Sequence, residues 1–143
     1  MYKQKFKKLE NDLLSSLLYS MSLGSHELFH SNVWSWLLNY NKEFVKIFFP
    51  KVKKDAISKI TREEGNRDIT IWAEGKAYVI ENKFKSIPEE EQLNKYQRTL
   101  GNKFAEGCVT GIIKPHWIET KSSWSFISYK DLSINTNLSF AYL

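Results

Sequence analysis

The spacing of apolar residues changes near residue 56, and this change restricts the fold more than any other feature of the chain. Before it, apolar side chains recur every three or four residues, as they do along one face of an α-helix. After it, short apolar runs separated by glycine-containing turns indicate β-strands. Helices are predicted over residues 3–21, 25–38 and 42–49, and strands over residues 56–63, 68–74 and 77–84.

A fourth predicted helix interrupts the strands, and its apolar stripe is expected to consist of Leu93, Tyr96, Leu100 and Phe104. Pro88 can open this helix, and glutamates in its first turn followed by basic residues give the charge order that the helix dipole favours. Two strands on either side of such a crossover helix can run parallel. With further strands predicted over residues 108–114 and 124–129, we expect a single α/β domain over residues 1–143, with a central mixed β-sheet flanked by α-helices.

Composition narrows the class of protein. The 143 residues suit one domain, and the single cysteine, Cys108, excludes an internal disulfide and fits a reducing compartment. No apolar run approaches the roughly 18 residues of a membrane span, and no signal peptide is visible, so we expect a cytoplasmic protein with no membrane partner. The net charge of +5 favours a polyanion such as nucleic acid as the partner.

One predicted hairpin brings charged residues together. If Gly75-Lys76 is its two-residue turn, Asp68 faces Lys83 and Thr70 faces Glu81. Because residues two apart in a strand point the same way, Asp68, Glu81 and Lys83 then share one face of the sheet. A three-residue loop would reverse this parity and separate the aspartate from the other two.

Two carboxylates and an ammonium group in one cluster have a clear chemical use. Carboxylate oxygens suit Mg²⁺ or Mn²⁺, and such an ion can polarise a phosphoryl oxygen and activate a water, while Lys83 stabilises negative charge. The alternative is a surface hairpin with cross-strand ion pairs. Glu81 follows the apolar run Tyr78-Val79-Ile80, where an unpaired carboxylate would be costly. This context counts against the surface hairpin, but the local argument by itself leaves both interpretations open.

A wider set of motifs carries a family resemblance. Asp68, twelve intervening residues and Glu81-Asn82-Lys83 resemble the D-x(n)-(D/E)-x-K signature of the PD-(D/E)XK nuclease superfamily. The run from Glu27 to Ser31 resembles the first helix of a bacterial branch of that superfamily, and Gln92 with Tyr96 resembles its Q-x-x-x-Y motif. The resemblance covers about residues 25–132 and implies a restriction-endonuclease-like core. Arg67 stands where the family signature has proline.

The resemblance implies a role for each matching residue. Asp68 and Glu81 are expected to bind Mg²⁺ or Mn²⁺ with help from the main-chain carbonyl of Asn82 and from Glu27. The other site residues are expected to be Lys83, which positions water or stabilises charge, and Gln92, Tyr96 and His30, which line the site. The implied activity is metal-dependent hydrolysis of DNA that leaves a 5′-phosphate. A homodimer is compatible with it, because cutting both strands often requires two active sites.

Two other functions are consistent with parts of the sequence. The run from His26 to His30 spells H-E-x-x-H, in which two histidines bind Zn²⁺ and Glu27 acts as a base. A zinc protease needs a third ligand, for which the remaining histidine is His116, and it leaves the acidic pair and Lys83 unexplained. The second alternative is a non-catalytic module on the same fold that binds nucleic acid or another partner through its tryptophans.

Overall fold

In a computed structural model of the protein, the described part of the chain contains five strands, which form one sheet whose spatial order is the order of the chain, β1-β2-β3-β4-β5. The structure describes residues 26–83, 89–128 and 131, and it describes their side chains from residue 30 onward. The helices are α1 (His26–Tyr40), α2 (Val45–Phe48) and α3 (Glu90–Leu100), and the strands are β1 (Ile57–Arg62), β2 (Ile69–Ala73), β3 (Lys76–Lys83), β4 (Phe104–Gly111) and β5 (Trp124–Ser128). The predicted helix over residues 3–21 lies outside the described residues.

The pairing of the strands confirms the predicted mixed sheet. Strands β1, β2 and β3 are successive antiparallel neighbours. Strand β4 runs parallel to β3 after the crossover through α3, and β5 runs parallel to β4. The α/β fold with a central mixed sheet and flanking helices is that of a restriction-endonuclease-like core.

The two faces of the sheet are covered by different helices. Helices α1 and α2 pack on one face, where the core includes Trp34, Leu38, Ile71 and Ile80. Helix α3 packs on the other face against β3, β4 and β5, with Leu93, Tyr96, Val79, Val109 and Trp124 as core residues. Alternation along β2 and β3 therefore decides which helix each side chain meets.

The hairpin turn between β2 and β3 differs from the prediction. Its two central residues are Glu74 and Gly75, both with positive φ (52° and 76°), rather than Gly75 and Lys76. Such a turn matches the twist of the strands, and the energy of the paired strands holds the glutamate in a left-handed conformation. The register moves by two residues, so Val79, not Glu81, pairs with Thr70. A shift of two leaves every side chain on its predicted face.

The fourth predicted helix ends earlier than its apolar pattern indicates. Helix α3 stops at Leu100, because Gly101 takes a positive φ of 56°. Phe104, expected on the apolar stripe of that helix, begins β4 instead. Among the described residues, no helix is both long enough and apolar enough to cross a membrane.

Candidate active site

Asp68 and Glu81 meet at the end of the sheet where β2 begins and β3 ends. Asp68 directly precedes β2, and extending the observed register by one residue places it opposite Glu81. Both residues lie on the face that α3 covers. The main-chain N–H of Asn82 donates a hydrogen bond to Asp68 Oδ2 at 2.7 Å. The aspartate is therefore fixed to the strand that carries Glu81 and Lys83, and the three predicted residues come together.

The Glu81 carboxylate is buried, and its contacts with the described residues leave one of its two oxygens without a hydrogen bond. Its side chain is 3% exposed, and Lys83 Nζ lies 3.4 Å from Oε1. Oε2 is buried and has no hydrogen-bond partner among the described residues. Burial first, and then the negative charge of Asp68, raise the pKa of Glu81 to about 8, against the opposing effect of Lys83. Within the described part of the chain, the interaction with Lys83 therefore does not outweigh the burial of Glu81 and its repulsion by Asp68.

Helix α3 places Tyr96 and Gln92 over this site. The Tyr96 hydroxyl donates to the carbonyl of Asn66 at 3.0 Å, in the loop before Asp68, and accepts from Gln92 Nε2 at 3.0 Å. Burial raises the pKa of Tyr96, and the nearby charges of Glu81 and Asp68 raise it further. Tyr96 therefore lies beside the carboxylates, and its hydroxyl joins α3 to the loop before Asp68.

On the opposite face of the sheet, Asn82 connects the site to α1. Its fully buried side chain donates to Ser31 Oγ at 2.9 Å and accepts a short hydrogen bond from the Thr110 hydroxyl on β4. Glu27 precedes Ser31 by one helical turn, so α1 begins at the same end of the sheet as the carboxylates. The side chain of Glu27 lies outside the described residues. His30 is half-buried and has an interaction partner.

Comparison with known protein families identifies the superfamily of this chain. The family model of the PD-(D/E)XK nuclease superfamily matches residues 16–137, most of the chain. The chain belongs to the PD-(D/E)XK nuclease superfamily. No curated protein and no solved structure matches it.

Members of the PD-(D/E)XK superfamily generally use divalent metal ions, and the acidic pair fits such an ion. A hard cation bound by one or two carboxylates completes its coordination with water. Such a cation would bind the Glu81 Oε2, which has no hydrogen-bond partner among the described residues, and would offset the repulsion between Glu81 and Asp68. In the described part of the chain, no group of three or more His, Cys, Asp or Glu side chains could hold a metal. A third protein ligand would have to come from elsewhere, and Glu27 is the predicted one.

Other parts of the site could not be found by sequence reasoning. Ser31, Asn66 and Thr110 contact site residues from distant parts of the chain. Ser31 closes the run that resembles the first helix of the superfamily, but the resemblance implies no role for it, and Asn66 and Thr110 belong to no recognised motif. For the zinc-protease alternative, His116 is an exposed residue of the loop after β4, and the side chains of His26 and Glu27 lie outside the described residues.

Proposed function

We propose that the protein is a Mg²⁺- or Mn²⁺-dependent deoxyribonuclease that hydrolyses phosphodiester bonds. The observation that carries this proposal is the buried Glu81 carboxylate beside Asp68, with one oxygen lacking a partner among the described residues, in a chain of the PD-(D/E)XK nuclease superfamily. Holding the buried Glu81 carboxylate beside the half-buried Asp68 destabilises the fold through repulsion and desolvation, and a bound cation would offset this cost.

Asp68 and Glu81 would hold the ion, together with the main-chain carbonyl of Asn82. When bound, the ion supplies charge stabilisation at the phosphate and lowers the pKa of a water molecule. The hydrogen bond from Asn82 N–H orients the Asp68 carboxylate before substrate arrives. Pre-orientation of this kind removes reorganisation from the reaction step.

Lys83 is the cation that the chain itself supplies. Its side chain is 16% exposed and its ammonium group lies 3.4 Å from Glu81 Oε1. It can donate hydrogen bonds to the attacking water or to a phosphate oxygen on which negative charge develops. Removing a donor with such a role typically lowers kcat by about 10²–10³.

Four further residues complete the proposed site. Gln92 and Tyr96 lie on the face of α3 above the carboxylates and would contact the substrate backbone. Glu27 is proposed as an additional metal ligand and His30 as a neighbour of the site. The first turns of α1 lie at the same end of the sheet as Asp68 and Glu81, and this position supports both roles.

DNA is the proposed substrate by family relationship, and the net charge of +5 supports a polyanionic one. By the same relationship, attack of water on phosphorus is proposed to break the bond to the 3′-oxygen, which leaves as a hydroxyl, and to leave a 5′-phosphate. A cytoplasmic location and a homodimeric state remain proposals of the same kind.

The test is cleavage of end-labelled single-stranded and double-stranded DNA and RNA with Mg²⁺, Mn²⁺ or EDTA. Wild-type protein should cut DNA with either metal and not with EDTA, and Asp68→Asn and Lys83→Met should each lose at least about a hundredfold in rate. Glu91→Gln, at an exposed residue of α3, is the control and should cut at the wild-type rate.

The possible outcomes separate the alternatives. A folded wild-type protein that cuts none of these substrates but binds them in a salt-dependent manner would replace the nuclease by a binding module. Cleavage of RNA alone would keep the metal site and change the substrate. Peptidase activity restored by Zn²⁺ and lost in His26→Ala would support the protease.

A further inference from the structure

The loop that delivers Asp68 to the site has an unusual backbone. Between β1 and β2, Glu63, Gly65 and Asn66 all have positive φ, at 55°, 59° and 64°. Residues other than glycine occupy this region at an energetic cost and do so when surrounding contacts hold them there. The loop ends at Asp68, so whatever stabilises this conformation also places the carboxylate.

Arg67 supplies these contacts from a buried position. It is 4% exposed, its Nε donates to Thr70 Oγ1 at 2.8 Å, and its Nη2 pairs with Glu64 Oε1 at 3.0 Å. The same Glu64 oxygen accepts a hydrogen bond from Trp72 Nε1 at 2.9 Å. The loop is thereby connected to two residues of β2 that share the face of Asp68.

Gly65 leaves room for the guanidinium group. A Cβ at this position would lie 2.6 Å from Arg67 Nη1, so a side chain cannot be added without displacing the arginine. The backbone of Arg67 is extended, with φ −83° and ψ 142°. In the superfamily signature a proline ring fixes φ at this position, whereas here the side-chain contacts of arginine hold the loop.

The ion pair joins a buried guanidinium to the half-exposed Glu64 carboxylate, and it favours one loop conformation more than it adds stability. Desolvation of the guanidinium offsets much of its attraction to Glu64, but any loop conformation that separates the two leaves a buried charge without a partner. The pair therefore penalises alternative positions of Asp68.

We propose that Arg67 and Glu64 are positioning residues that hold the Asp68 carboxylate on the main-chain N–H of Asn82 and thereby set the affinity of the site for its divalent ion. The second half of this statement rests on the proposed metal-dependent function. The first half does not, because it concerns a hydrogen bond between two groups of the chain itself.

The experiment has a readout for each half. Amide hydrogen exchange of ¹⁵N-labelled protein in EDTA follows the Asn82 N–H, and calorimetric titration with Mn²⁺ gives the metal affinity. The variant is Arg67→Met, which keeps much of the apolar stem and removes the charge and both hydrogen bonds. Glu64→Gln and Arg67→Lys are milder changes that cover the case in which Arg67→Met does not fold.

The matched control is Val45→Ala, a cavity-forming change in the core on the other face of the sheet. It should lower the Tm. Once the change in global stability is allowed for, it should leave the exchange rate of the Asn82 amide and the Mn²⁺ dissociation constant unchanged. This control separates a positioning role from general destabilisation.

In Arg67→Met, we expect the Asn82 amide to exchange at least about tenfold faster, beyond the change seen at core amides. We expect the Mn²⁺ dissociation constant to rise about 10–100-fold, the range found when groups supporting metal ligands are removed. For Arg67→Lys and Glu64→Gln, the exchange rate and the Mn²⁺ dissociation constant should lie between those of the wild type and Arg67→Met.

Unchanged exchange at Asn82 in every folded Arg67 and Glu64 variant would overturn the proposal. Wild-type protein that does not bind Mn²⁺ would instead refute the proposed function and the second half of the proposal, while the exchange result would still decide the first half. Faster exchange with unaltered Mn²⁺ affinity would likewise refute the second half alone.

Discussion

Replacing Glu81 by glutamine should make the metal-free protein more stable at pH 8, although it removes a proposed metal ligand. The carboxylate is 3% exposed, Asp68 repels it, and one of its oxygens has no partner among the described residues. Glutamine has almost the same shape without the charge. The change therefore removes the desolvation and repulsion that the wild-type side chain suffers when ionised.

The magnitude follows from the pKa of Glu81. Its rise from 4.5 to about 8 corresponds to an upper bound of roughly 5 kcal/mol. Relaxation and water penetration reduce this bound, so we expect a gain of about 2 kcal/mol, or about 6 °C in Tm. Between pH 4.5 and 8 the native state binds more protons than the unfolded state, so wild-type stability falls as the pH rises. The advantage of Glu81→Gln should thus vanish near pH 4 and be complete above pH 8.

Urea unfolding followed by the fluorescence of the five tryptophans measures this effect at pH 5 and pH 8 in EDTA. Glu91→Gln, at an exposed ion pair with Arg98, is the control and should change stability by less than about 0.5 kcal/mol. Mn²⁺ should stabilise the wild type and leave Glu81→Gln nearly unaffected. The reasoning is refuted if Glu81→Gln is no more stable than the wild type at pH 8, or if its advantage is the same at pH 5.

Three further predictions concern residues around the site and in the core. Gly107→Ala should cost about 3 kcal/mol in urea unfolding, because a Cβ there would lie 2.3 Å from the ring of Trp124; a cost below about 1 kcal/mol would contradict this packing. The Cys108 thiol, whose pKa burial raises to about 12, should resist a disulfide reagent at pH 8 in native protein and react fully in urea. Tyr96→Phe should lose about 1–2 kcal/mol, since the Asn66 carbonyl loses its donor, and unaltered stability would show that this hydrogen bond is replaced by water.

The grouping of Asp68, Glu81 and Lys83 could be predicted from the sequence because side chains alternate between the two faces of a strand. It therefore depends only on whether the register is right to within an even number of residues. The predicted turn at Gly75 and Lys76 is wrong, but the resulting error in register is two residues, and an even shift keeps each side chain on its face. The turn itself could not be predicted, because tertiary pairing holds Glu74 at positive φ. Local preference would not select a glutamate for that position.

Other features depend on contacts that no local pattern encodes. The apolar spacing of Phe104 fits the helix as well as the strand, and the positive φ of Gly101 decides between them. A charged residue such as Arg67 is expected at the surface, and its burial follows from the conformation of a loop that the sequence does not specify. Asn82 and Ser31 are 51 residues apart and meet through the packing of α1 on the sheet.

The central claim is that Asp68 and Glu81 together hold a divalent metal ion. Anomalous scattering from crystals soaked in Mn²⁺ tests it directly, with data collected on both sides of the manganese absorption edge. The account predicts one strong peak at about 2.0–2.4 Å from a carboxylate oxygen of each residue, absent in Asp68→Asn. Ordered crystals that show no such peak at saturating Mn²⁺, or a peak bound by other residues, would contradict it.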